Sequence, residues 1–235
     1  MARRTLLLDH HGVISDGERM PVEWQRLLGD FLIPRYGHTP REWADANGIA
    51  LERSIKRQQA ARERVLAEEF RRADLTEWMR DMLRAVGAPE LPDGGAAALA
   101  FEAIEYVVPR TRATMPGAAD TLRSLHERGF TLYTASGDHS QSLNGYLTGA
   151  GVRSLFHETY GADLLGTLKT GPHFYRALLD HAGIAATDAI VVDDDAWRLD
   201  WARDLGMDTV LVGAKDPAAA HRRIGTIAEL SSVLP

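Results

Sequence analysis

The 235-residue chain has no cysteine, which excludes disulfides, a thiolate nucleophile and cysteine-based metal sites. It has no apolar stretch approaching the length of a membrane span. The run Leu6-Leu7-Leu8 behind Arg3 and Arg4 looks superficially like a leader, but it stops at Asp9-His10-His11, too short for a signal-peptide core. Nor is there an excess of basic residues: net charge is -6, with a pI near 5.8, so nothing favours a nucleic-acid or anionic-membrane partner. The default expectation is a cytoplasmic protein in a reducing environment. The sequence carries no signal for an oligomeric state.

Ordinary globular character remains, with 45% hydrophobic and 26% charged residues. The length suits one large domain or a core domain carrying an insertion. Residues 5–15 read as a strand and its exit loop. Residues 16–112 contain helix signals and no convincing strand. Punctuation at Pro34, Gly37, Pro40, Gly48, Gly87, Pro89, Pro92, Gly94 and Gly95 cuts this stretch into about four helices. These are expected over Val22–Ile33, Ile49–Phe70 (with Glu52 and Lys56 an i,i+4 pair), Thr76–Val86, and from Ala96 to about Val108. From Pro116 the rhythm alternates. Helices are expected over 116–129, 141–150, 171–182 and 196–205, and strands over 130–134, 156–160, 189–192 and 209–212. Strands alternating with helices of about ten residues imply a parallel sheet covered on both faces.

The pattern predicts an α/β fold: a doubly wound, Rossmann-like parallel sheet formed by residues 1–15 and 113–235, interrupted by a helical cap over 16–112. Strand ends then collect in one crevice beneath the cap. They carry Asp9 and His11, Thr134 and Ser136, and Asp193-Asp194-Asp195, with Lys169 within reach on the loop before a helix. Taken singly, each has a bland alternative. Asp9 could simply end a strand, the three aspartates could form a solvated turn with Asp195 as a helix N-cap, and Lys169 could be a surface lysine. Trp24, Trp43, Arg53 and Arg57 read mainly as core anchors and solvated faces.

The ordered set Asp9-His10-His11-Gly12-Val13, Thr134-Ala135-Ser136, Lys169 and Val191-Val192-Asp193-Asp194-Asp195, closed by Gly206-Met207, resembles the haloacid dehalogenase superfamily. The likeness is greatest to the branch with a helical cap after the first strand, which includes sugar-phosphate mutases and small-molecule phosphatases. It covers the whole chain, with Met115-Pro116-Gly117 re-entering the core and residues 227–234 closing it. The resemblance implies that Asp9 attacks phosphorus to form an aspartyl-phosphate. It implies that Lys169 and Mg²⁺ offset the negative charge, and that Mg²⁺ is held by Asp9, the His11 carbonyl, Asp194 and Asp193. Thr134, Ala135, Ser136 and Lys169 would hold the phosphoryl group of a small phosphorylated substrate.

One position departs from the family. Its second aspartate, the general acid/base, is His11 here. Histidine can serve that role, with a reference pKa near 6.5. Two other outcomes follow from the same departure. One is a metal-independent 2-haloacid dehalogenase, a branch that Asp195-Ala196-Trp197 and Lys169 with Tyr175 resemble in part. The other is a non-catalytic relative that binds a phosphorylated ligand. Lys56 is the one lysine of the cap region, and its charged helical surroundings mark it as a surface residue rather than a Schiff-base lysine.

Overall fold

The computed structural model describes residues 5–66, 68–213 and 220–234; the leader-like start, Met1–Arg4, lies outside them. Six strands form one sheet: β1 (Thr5–Leu8), β2 (Thr131–Ala135), β3 (Phe156–Tyr160), β4 (Ala189–Asp193), β5 (Asp208–Val212) and β6 (Arg222–Ile224). Their order is β3-β2-β1-β4-β5-β6, and every pairing is parallel. This is the doubly wound α/β arrangement, with its topological switch point beside β1.

The apolar runs explain why the sheet has two covered faces. Successive residues of a strand point to opposite sides. Leu6 and Leu8 enter one core with Ile190, Val192, Leu122 and Leu125, while Leu7 enters the other with Val191, Leu211, Phe174 and Leu178. A strand buried on both sides needs a continuous hydrophobic run, as in Leu6-Leu7-Leu8. The helices in this part of the chain are α5 (Ala118–Glu127), α6 (Ser140–Gly149), α7 (Ala162–Leu165), α8 (Pro172–Ala182), α9 (Ala196–Asp204) and α10 (Leu230–Val233), preceded in the chain by α1 (Arg19–Tyr36), α2 (Pro40–Ala61), α3 (Glu68–Ala85) and α4 (Asp93–Val107).

The chain divides into two compact units, residues 1–20 with 112–235, and residues 21–111. The second unit has its own core, including Leu28, Leu32, Trp43, Met79, Met82 and Ala103. Its boundaries differ from the sequence expectation inside the helical stretch. Pro34 and Gly48 lie within helices rather than between them. The expected helix over Ile49–Phe70 is divided instead: α2 ends at Ala61, a short 3₁₀ turn runs over Arg62–Leu66, and α3 begins at Glu68. Arg62 takes φ 50, outside the helical region. The start of α2 is held by a reciprocal capping box, in which Thr39 Oγ1 accepts from the Glu42 amide and Glu42 accepts from the Thr39 amide. On the exposed side of α2, Lys56 donates to Glu52 at 2.6 Å, as its surroundings indicated. Arg53 and Arg57 are not merely solvated, since both pair with the buried carboxylates of α3, Asp81 and Asp74.

Candidate active site

Asp9 sits one residue beyond β1, and its amide continues the sheet ladder to the Val192 carbonyl at 2.9 Å. The loop that follows winds tightly around the His10 carbonyl, which accepts from the amides of Ile14 and Ser15 and from the Ser15 hydroxyl. Gly12 takes φ +74, and a Cβ there would run into the Asp194 carboxylate. Glycine is therefore required both for the turn and for the close approach of two strand-end loops.

Asp9, at the end of β1, and Asp193, the last residue of β4, stand on adjacent strands at the switch point. Both are buried, at 3% and 0% exposure. Lys169, on the loop before α8, joins them: its Nζ lies 3.0 Å from Asp9 Oδ1, donates to Asp193 Oδ2 at 2.7 Å and donates to the Ala135 carbonyl at 2.6 Å. Lys169 itself is 7% exposed, so its burial makes sense only as a partner for charge. Carboxylate oxygens of Asp9, Asp193 and Asp194 lie within 4.8 Å of one another.

The electrostatics follow from this packing. Burial raises the Asp9 carboxyl above the ordinary carboxylate range, and Asp193 adds to the effect while Lys169 and Arg198 oppose it. Burial alone would lower the Lys169 ammonium, but the charges around it, Asp9 foremost, outweigh that and hold it above its usual value. His11 is raised, first by its contact with Asp138, whose Oδ2 lies 3.1 Å from His11 Nε2. Burial pushes Asp138 the other way, yet the imidazoles of His10 and His11 dominate and hold it far below the usual range.

The remaining strand-end residues are placed as follows. Thr134 pairs in register with Leu8 and is fully buried, and its hydroxyl donates to the Tyr160 carbonyl of β3 at 3.1 Å. Ser136 is 2% exposed, and its hydroxyl accepts from the Asp138 amide. Asp195 occupies the N-cap of α9, but its side chain makes no capping bond; Asp193 accepts from the Asp195 amide instead.

Two residues of the site carry no motif that singles them out in the sequence. Arg198, on the first turn of α9, brings Nη1 to 3.6 Å from Asp9, 3.9 Å from Asp193 and 3.4 Å from Asp195. Its spacing of three from Asp195, at a helix start, is the available signal. Asp138 follows Ser136 by two residues on the exit from β2. Its loop is pinned by a close approach to Gly161, where a Cβ would meet the Asp138 carbonyl. A cavity of about 470 Å³ lined by Arg72, Thr76, Glu77, Arg80 and others lies within residues 69–97 and contains none of these groups.

This constellation places a buried carboxylate, a buried lysine and further acidic oxygens together at the switch point of a doubly wound sheet. The haloacid dehalogenase-like hydrolase family model matches residues 4–206, and the chain belongs to that family. Among curated proteins, a phosphoglycolate phosphatase of Rhodospirillum rubrum is 26% identical over 50% of this chain and 50% of its own length. The (S)-2-haloacid dehalogenase 4A of Burkholderia cepacia is 27% identical over 41% of this chain and 42% of its own. The chain thus matches half or less of the length of these two relatives. Among solved structures, the defluorinating L-2-haloacid dehalogenase Rha0230 superposes with a TM-score of 0.68 at 15% identity, covering 98% of this chain and 94% of that one. The Bacillus subtilis protein YfnB, bound to magnesium, superposes with a TM-score of 0.67 at 18% identity, covering 100% and 99%. At these identities the structures speak to the fold alone. Among the described residues no helix is long and apolar enough to cross a membrane.

Proposed function

We propose that the chain is a Mg²⁺-dependent hydrolase of small phosphomonoesters that works through an aspartyl-phosphate on Asp9. The observation that carries this reading is the buried Asp9 held by Lys169 within the same cluster as Asp193 and Asp194. Three convergent carboxylates exceed what two cationic side chains neutralise. The donor set is all oxygen, which suits Mg²⁺. Asp9, Asp193, Asp194 and the His11 carbonyl would hold it, and when bound it would supply positive charge against the approach of a phosphate to a carboxylate.

In this reading an Asp9 oxygen attacks phosphorus, and the bond from phosphorus to the leaving oxygen breaks. His11 donates its proton to that oxygen; Asp138 favours the protonated imidazole needed at this step. Neutral His11 then takes a proton from the water that attacks the phosphoryl group, which regenerates Asp9 and releases phosphate. Lys169, Ser136 and Thr134 are assigned to the phosphoryl oxygens, with Thr134 the least direct because its hydroxyl is engaged by Tyr160. The inserted helices are assigned the setting of specificity.

Phosphate release from a panel of phosphomonoesters, with and without Mg²⁺, tests the reading. Metal-dependent turnover is expected, and its absence on every ester would sink it. Two observations favour a second reading, a metal-independent dehalogenase: Lys169 and Arg198 both reach Asp9, and the buried Tyr175 hydroxyl has no hydrogen-bond partner. In that case halide release from 2-haloacids would proceed in chelator.

A further inference from the structure

Asp9 feeds the carboxylate cluster, but the next two side chains lead elsewhere. His10 and His11 converge with Asp138 on a second point, with one ligand atom from each lying within 4.8 Å of the others. His10 Nδ1 is 3.3 Å from Asp138 Oδ2, and His11 Nε2 is 3.1 Å from the same oxygen. Ligands bound at about 2.0–2.1 Å in a tetrahedron stand roughly 3.3 Å apart, so these two spacings match two edges of a zinc-type site.

Both imidazoles pair with one carboxylate oxygen of Asp138. His10 is 1% exposed. Its Nδ1 and Asp138 Oδ2 face each other at 3.3 Å without the alignment of a good hydrogen bond. Poorly aligned buried polar atoms are costly, and a cation held by His10 Nδ1 and Asp138 Oδ2 would satisfy both. The positions are firmly set: the His10 ring stacks on Tyr146 at 5.0 Å between centroids, and the Asp138 amide is tied to Ser136. The His11 side chain is 52% exposed, which leaves a path for entry.

We propose that His10 Nδ1, His11 Nε2 and Asp138 Oδ2 form a three-ligand site for a borderline-soft divalent cation such as Zn²⁺, separate from the oxygen cluster of Asp9, Asp193 and Asp194. Two imidazoles and one carboxylate select Zn²⁺ over Mg²⁺, and three protein ligands leave a position open to water. If His11 is the acid/base of the proposed hydrolysis, occupancy ties up that nitrogen and Zn²⁺ inhibits. The inhibition rests on that reading, whereas the binding does not.

The experiment is Zn²⁺ titration calorimetry together with visible absorption of the Co²⁺-loaded protein, in excess Mg²⁺ and with no substrate present. The expected result is one ion per chain and the intense Co²⁺ bands of a low-coordinate site. Asp138→Asn and His10→Gln should each weaken Zn²⁺ by more than the about 10–100-fold typical of a residue that only supports a ligand, while Asp194→Asn leaves binding intact. Asp138 is partly exposed, so its variant stands in should His10→Gln fail to fold. No binding by the wild type, binding that survives Asp138→Asn, or binding lost in Asp194→Asn would each overturn the site. Because turnover is not read, failure of the hydrolase reading would leave this result unaffected.

Discussion

Lys169 is the residue on which the site's electrostatics turn. It compensates two buried carboxylates at once, at 3.0 Å and 2.7 Å, and removing one partner of a buried ion pair costs about 3–5 kcal/mol. Lys169→Met should therefore lower stability by that amount in urea denaturation at neutral pH. The loss should shrink as acid neutralises Asp9, whose carboxyl is raised; a pH-independent loss would contradict the account. The His11–Asp138 contact gives a second prediction. His11 is raised in the folded state, so its contribution is complete below its unfolded value of about 6.5 and is lost as pH rises through the folded value. Asp138 is depressed, so its contribution is complete above about 3.9 and is lost as pH falls further. The stability they add thus peaks between about pH 4 and 6.5. Asp138→Asn should flatten the fall of the urea midpoint above that window, and an unchanged profile would remove the contact from the account. Asp9, Lys169, Asp193 and Asp194 are legible in the sequence because each lies at a strand end or on the loop before a helix, in a recognisable order. Arg198 and Asp138 are not, because their roles depend on a helix phase and a loop path that no single-residue pattern encodes.

At the scale of elements, sequence and structure agree where both periodicity and punctuation are present. The apolar runs at 6–8 and 189–192 are strands of one sheet, because a doubly covered strand must be apolar throughout. The helical stretch is less legible. Pro34 sits near the end of α1, and Gly48 is carried inside α2 with open space around it. The break near Arg62 has no proline or glycine to announce it. The short strand β6, three residues with charged Arg222 and Arg223, has no apolar run to mark it in the sequence. The α2 capping box makes the element-scale prediction. Thr39→Ala should destabilise the protein by about 1 kcal/mol in urea denaturation, and no measurable loss would show that the box is dispensable.

For the whole molecule, the doubly wound sheet matters because it delivers Asp9 and Asp193 side by side on adjacent strands, with Lys169 and Arg198 against them. The central claim is that Asp9 attacks the substrate. The most direct measurement is mass spectrometry of the peptide containing Asp9 after acid quench of a single turnover with a phosphomonoester and Mg²⁺. The account predicts a gain of one phosphoryl group on Asp9 that is absent in Asp9→Asn. Undiminished phosphate release by Asp9→Asn, with no adduct on the wild-type peptide, would contradict it.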